Sequence, residues 1–173
     1  MTSEHQRHLV NGIVAGTIGY AVIVAFFAAA NVVQGRSPFF TAAVLGNALL
    51  GDPSTSITAA PVAVFNGLHL CAFLLLGAAA AWLAGLVEQR PQLWYLLFFL
   101  GVVIFFHLFG VVAALAAPAE DAVPLLHVLL ASLLAVGAMS AWLWRAYPGV
   151  VTGVRAVGDF EDPLEPSGRP RSS

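Results

Sequence analysis

Lysine is absent from this chain. All seven basic residues are arginines, and with the nine carboxylates they amount to only 9% of its 173 residues. Soluble domains carry about 25% charged side chains, so this surface is not built to be hydrated all round. The all-arginine usage, with heavy alanine and glycine, matches a GC-rich bacterial genome. No basic patch interleaves with aromatics, which leaves nucleic acid without a footprint as a partner. The single cysteine, Cys71, has no mate for an internal disulfide and gives no signal about redox compartment.

Carboxylates are missing where chemistry inside a membrane would need them. Glu88, Glu120 and Asp121 sit at the ends of apolar runs, not within them. No nucleophile elbow, phosphate loop or H-E-x-x-H pattern occurs. The chain therefore reads as a protein that is not an enzyme. Transporter signatures, such as inverted repeats or broken helices with buried charge, are lacking too.

What the chain has in abundance is hydrocarbon: 60% hydrophobic residues and a mean hydropathy of +0.87. Four apolar runs stand out, about 9–33, 61–87, 92–117 and 123–144. At ~1.5 Å per residue each is long enough to cross a ~30 Å hydrocarbon layer. The first exceeds the 7–15 apolar residues of a signal peptide and reads as a retained span. The fold class expected is thus all-α: a polytopic bundle of four transmembrane helices, occupying residues 1–147.

Between spans one and two, Ser37-Pro38 resembles an N-cap followed by proline at the first helical position, and Gly51-Asp52-Pro53 is a stop. A short helix over about 38–50 is expected there. At ~20 Å it cannot span, so it is interfacial or re-entrant. Glu88-Gln89-Arg90-Pro91 is a tight turn that makes spans two and three antiparallel neighbours, with Trp94 and Tyr95 at headgroup level. Residues 148–173 read as a polar, disordered cytoplasmic tail. The H-x-x-H of His5 and His8 falls in a terminus read as solvated and receives no site.

Arg7, Arg90, Arg145, Arg155, Arg169 and Arg171 fall on one side of this topology and Arg36 alone on the other. The positive-inside rule then puts both termini in the cytoplasm, in a bacterial inner membrane. Gly12-x-x-x-Gly16 with Gly19 in span one, and Gly77-x-x-x-Ala81-x-x-x-Gly85 in span two, lie at matching depths in the cytoplasmic half. Small-residue seams of this kind let helices approach closely in lipid. The bundle is expected to be tight there and open outward.

The outer half holds the polar residues. His69, His107 and His127 lie about 12, 15 and 6 Å from the outer ends of their spans, at 1.5 Å per residue. Asn66 is one turn from His69, and Asn31 lies near the outer end of span one. Intramembrane polar groups face the protein interior and mark sites or pathways. A histidine-lined pocket with helix 38–50 as its lid follows as an expectation. Several occupants compete: a b-type haem on two imidazoles, copper or zinc on all three, a quinone, or a proton path. The structural alternative is interhelical hydrogen bonding alone, for which one bond per neutral histidine suffices.

The segments Gly35-Arg36-Ser37-Pro38-Phe39-Phe40-Thr41 and Leu45-Gly46, with His69, Phe73 and Gly77 further on, resemble a loose group of small bacterial four-span membrane proteins. In these a G-R-x-P-x-F-T-like loop follows span one and a histidine sits early in span two. The likeness covers about 12–91. It implies a fold and, since the group has no assigned activity, no function. The reading that follows is a non-enzymatic accessory or structural subunit embedded in the lipid bilayer, working with other membrane subunits or as a homo-oligomer. A haem- or metal-binding electron-transfer protein is the alternative, and an oligomeric channel or carrier the third.

Overall fold

In a computed structural model of the protein the backbone is described for residues 3–52, 54–116 and 123–158. Side chains are described for all of these except 3, 104, 107–109, 111–116 and 154–158. Every regular element among the described residues is helical: α1 (Ser3–Val33), α2 (Phe40–Leu49), α3 (Ala59–Gln89), α4 (Trp94–Ala116), α5 (Leu125–Ala146) and α6 (Pro148–Gly158), with a 3-10 turn at Pro91–Leu93. Three of them, α1, α3 and α5, are long and apolar enough to cross a membrane.

The long helices run antiparallel to α1 on two sides. α1 packs most extensively against α3 and next against α5, while α3 and α5 barely meet. The glycine seam joins α1 to α3. A Cβ at Gly12 would lie 2.6 Å from the Ala78 Cα, one at Gly16 would run into the Phe73 carbonyl oxygen, and one at Gly77 into that of Gly12. Backbones this close gain dispersion contacts that larger side chains would forfeit, which is how helices adhere where lipid is as apolar as leucine.

Three apolar layers stack along the axis. Ala15, Ala81, Ala84, Val87, Leu143 and Tyr147 fill the end that carries the N-terminus. Ile23, Phe73, Ala131, Ala135 and Met139 fill the middle, and Leu45, Val123 and Val128 close the far end, where α2 lies. Large apolar side chains also cover the outside, among them Leu68, Leu75, Phe98, Val103 and Leu126. That inside-out character is expected when the surrounding solvent is hydrocarbon.

Two positive-φ glycines punctuate the α2 region. Gly35 (φ 71°) follows α1 and Gly51 (φ 77°) follows α2. After each, paired backbone bonds close a Schellman motif: Arg36 N–H to Asn31 C=O at 2.8 Å, and Asp52 N–H to Asn47 C=O at 2.9 Å. The start of α2 departs from expectation. Ser37 accepts a weak bond from Phe39 N–H at 3.4 Å, and the helix begins only after Phe39, which offers no side-chain cap. The turn at Ser37 is closed instead by the Phe40 N–H on its carbonyl, at 3.0 Å.

Two further expectations are corrected. α1 already includes Ser3, so His5 and His8 ride on a helix; His5 is exposed as expected, but His8 is half-buried against Tyr147. The tail read as disordered from Pro148 is helical over its first eleven residues. Proline at the first helical position suits that start, and the spacing of Val150, Val151, Val154 and Val157 is that of one helix face. Val150 is buried against the Tyr147 layer. Residues 159–173, like the connection 117–122 with Glu120 and Asp121, lie outside the described residues.

Candidate functional site

The seam holds α1 and α3 together at the N-terminal end, and beyond it they diverge. α2 lies across the gap, seated on the beginning of α3 where Gly46 backs onto the Pro61 carbonyl. The space left between α1, α2, α3 and α5 is a cavity of about 100 Å³. Phe27, Phe39, Phe65 and Leu45 give it hydrocarbon walls, while Asn66, His69, Thr41 and Ser132 add the polar atoms.

His69 is held by its own helix. Its ring stacks on Phe65 one turn before (centroids 5.0 Å, 23° between planes) and tilts against Phe73 one turn after (5.2 Å, 56°). This i±4 clamp leaves the imidazole little freedom. Its Nε2 is buried and has no hydrogen-bond partner among the described residues. Most buried polar groups are paired, so an orphan at a cavity wall calls for a physical reason.

The asparagines do other work. Asn66 accepts from the Tyr20 hydroxyl at 3.1 Å and donates to the Val62 carbonyl at 2.8 Å, tying α3 to α1 beside the cavity. Asn31 is buried and exchanges bonds of 3.0 and 3.1 Å with Thr41, with a longer one of 3.4 Å to the Pro38 carbonyl. It fixes α2 to α1 and does not line the cavity. Asn47 donates to the Ser54 and Ser56 carbonyls at 3.0 and 2.9 Å, folding the following loop back onto α2.

Of the expected histidines whose side chains are described, His69 lines the cavity and His127 does not. His127 rests against Phe26 (6.2 Å, 60°), with its Nδ1 buried and unpartnered. His107 belongs to α4, and its side chain lies outside those described. Among the described residues no three His, Cys, Asp or Glu side chains are grouped so as to hold a metal ion. The cavity is also below the ~300–1,000 Å³ of sites for drug-sized ligands, too small as it stands for a haem macrocycle.

A second polar cluster, which the sequence reading left aside, ties the opposite end. The Tyr147 ring is fully buried. Its hydroxyl meets His8 Nδ1 at 2.8 Å, and the two rings stack with centroids 5.7 Å apart. Arg7 lies over the same ring at 4.7 Å, donates to the Ala146 carbonyl at 2.7 Å and pairs with Glu88 at 3.3 Å. Glu88 in turn accepts from Gly149 N–H at 3.2 Å, in the first turn of α6. Burial pushes the Tyr147 hydroxyl pKa up; the Asn11 hydrogen bond and Arg7 oppose that rise, and Glu88 adds to it. The cluster joins α1, α3, α5 and α6. The H-x-x-H spacing and the terminal aromatic were its only marks in the sequence.

Comparison with protein-family models, with curated proteins and with solved structures finds no match for this chain.

Proposed function

We propose that this is a small integral membrane protein of the bacterial inner membrane, crossing the bilayer four times and acting without catalysis as an accessory subunit. α4 is the further span: its 23 residues rise about 35 Å. In this reading α2 lies at the outer interface over the His69 cavity, and both termini are cytoplasmic, as the arginine asymmetry requires.

The observation that carries the reading is how the polar side chains are used. Asn31 with Thr41, and Asn66 with Tyr20, use side-chain hydrogen bonds to join helices, and among the described residues His69 is the one imidazole on a mostly apolar cavity. A scaffold that holds helices, ligand or partner subunits in register needs that arrangement. Acid–base chemistry would need a second group within reach of the first.

Two measurements test it. In a Cys71→Ala background, cysteines placed at Glu4 and Thr152 should react with a membrane-impermeant maleimide only after the cells are opened, while one at Ser54 reacts in intact cells. Labelling of all three in intact cells would refute the topology. Mild-detergent purification should yield the chain in a stoichiometric complex with other membrane subunits or with itself, without a Soret band. A haem spectrum lost on His69→Ala would favour electron transfer instead.

A further inference from the structure

We propose that the cavity beneath α2 binds the head of a membrane-soluble, flat-ringed lipophile bearing a carbonyl or hydroxyl group, the chemistry of a quinone or quinol, with His69 Nε2 as its hydrogen-bond anchor. The inference rests on the membrane-spanning reading above and names the ligand class of that cavity.

Three features converge on this class. The first is the orphan nitrogen. His69 Nε2 is buried without a partner, and the Phe65–Phe73 clamp holds the ring it belongs to. Two other buried nitrogens, His127 Nδ1 and Trp142 Nε1, also lack partners, but neither residue lines this cavity. The second is the wall, where Phe27, Phe39 and Phe65 present aromatic surface to whatever enters. A flat ring stacks or packs edge-on against such faces with a gain that a flexible chain does not obtain. The third is the opening. Phe39 and Val24 line the cavity yet are 57% and 39% exposed, so it opens between α1 and α2 towards the surrounding hydrocarbon.

Size and tautomerism narrow the choice. A cavity of about 150 Å³ encloses a benzene ring; this one, at about 100 Å³ and open on one side, takes such a ring with an edge projecting. An alkyl tail then leaves through the opening into lipid. Protonated, Nε2 donates to a carbonyl; unprotonated, it accepts from a hydroxyl. A ring that carries either group satisfies the imidazole in either form, whereas an acyl chain leaves it unpaired.

The full chain in phosphatidylcholine nanodiscs, titrated with tritiated decylubiquinone, tests this. Saturable retention of one probe per chain above empty nanodiscs is expected. His69→Phe keeps a ring between Phe65 and Phe73 but removes the nitrogen; it should weaken retention about three- to tenfold, the worth of one hydrogen bond. Its thermal midpoint should be unchanged or higher, since an unpaired buried nitrogen is gone. Ala42→Phe, at the half-exposed mouth, should abolish saturable retention with His69 in place, and His127→Phe should bind like the native chain. Retention no greater than that of empty nanodiscs, His69→Phe binding as tightly as the native chain, or equal displacement by dodecane would each overturn the ligand class and leave the span reading intact. A chain that stays monodisperse without detergent would overturn both.

Discussion

His8 Nδ1 and the hydroxyl of Tyr147 lie 2.8 Å apart although 139 positions separate them in the chain. The bond joins the first turns of α1 to the end of α5, inside a layer where Tyr147 is completely buried. A neutral hydrogen bond of this kind contributes about 1 kcal/mol, and leaving its partner unpaired costs about 1–3 kcal/mol. Tyr147→Phe should therefore destabilise the bundle by about 1–2 kcal/mol. A double-mutant cycle with His8→Phe, read from reversible unfolding in mixed micelles, should show positive coupling; additive losses would mean that the two side chains do not act together.

The same tyrosine sets an alkaline limit. Its pKa in the folded chain lies above the ordinary 10.0, chiefly through burial. A group raised in this way contributes stability that is complete below the unfolded pKa and is lost as pH climbs through the folded one. Unfolding midpoints should stay level with respect to this residue up to about pH 10 and fall above it. Tyr147→Phe should flatten that fall. An identical alkaline profile in the variant would remove Tyr147 as its cause.

Glu88 holds both Arg7 and the first turn of α6. The Arg7 side chain is 45% exposed, so the ion pair lies at the weak end of about 0–1 kcal/mol. Glu88→Gln keeps an oxygen for Gly149 N–H and should cost less than about 1 kcal/mol. Glu88→Ala loses both contacts, and amide exchange in α6 should speed up in this variant well beyond its rate in Glu88→Gln. Equal exchange in the two would show that Glu88 does not cap α6.

The seam between α1 and α3 predicts opposite signs for two glycine substitutions. A Cβ at Gly16 would meet the Phe73 backbone, so Gly16→Val must separate the helices, at about 1–3 kcal/mol. Gly137, inside α5, has open space where its Cβ would lie. Gly137→Ala should stabilise by up to about 1 kcal/mol through helix propensity alone. Thermal midpoints in one detergent compare both with the native chain.

Asn31 is the buried tie between α1 and α2. Asn31→Ala should cost about 0.6–1.7 kcal/mol, the range of interhelical polar bonds in membranes. Amide exchange across Phe40–Leu49 should rise more than elsewhere. Protection of α2 equal to that of the native chain would assign its docking to the Gly46–Pro61 contact instead.

Much of this architecture was legible in the chain. Apolar runs longer than a bilayer, and glycines spaced by four, leave few options for α1 and α3. The two seams do meet, but Gly77 packs on Gly12 and Gly16 and Gly85 on His8, a register that counting depth from the span ends did not give. The short helix before Gly51 was equally readable, because a glycine at positive φ ends it. The rest needed three dimensions. Depth along a helix does not fix azimuth, so His69 turns to the cavity while His127, at a similar height, faces Phe26. Nor could composition show that Asn31 is consumed by Thr41, since either could have faced the open space. α6 was hidden by Pro148 and Gly149, which read as tail but open a helix whose valines are spaced at helical intervals.

Because α3 and α5 each lean on α1 and hardly on one another, the bundle cannot be cut into two self-sufficient hairpins. α1 is made before both α3 and α5, so this common spine must wait in the bilayer for the two later helices. A gene fragment starting at α3 should thus insert without reaching the native arrangement, and co-expression of the missing N-terminal rod from a separate gene should restore it.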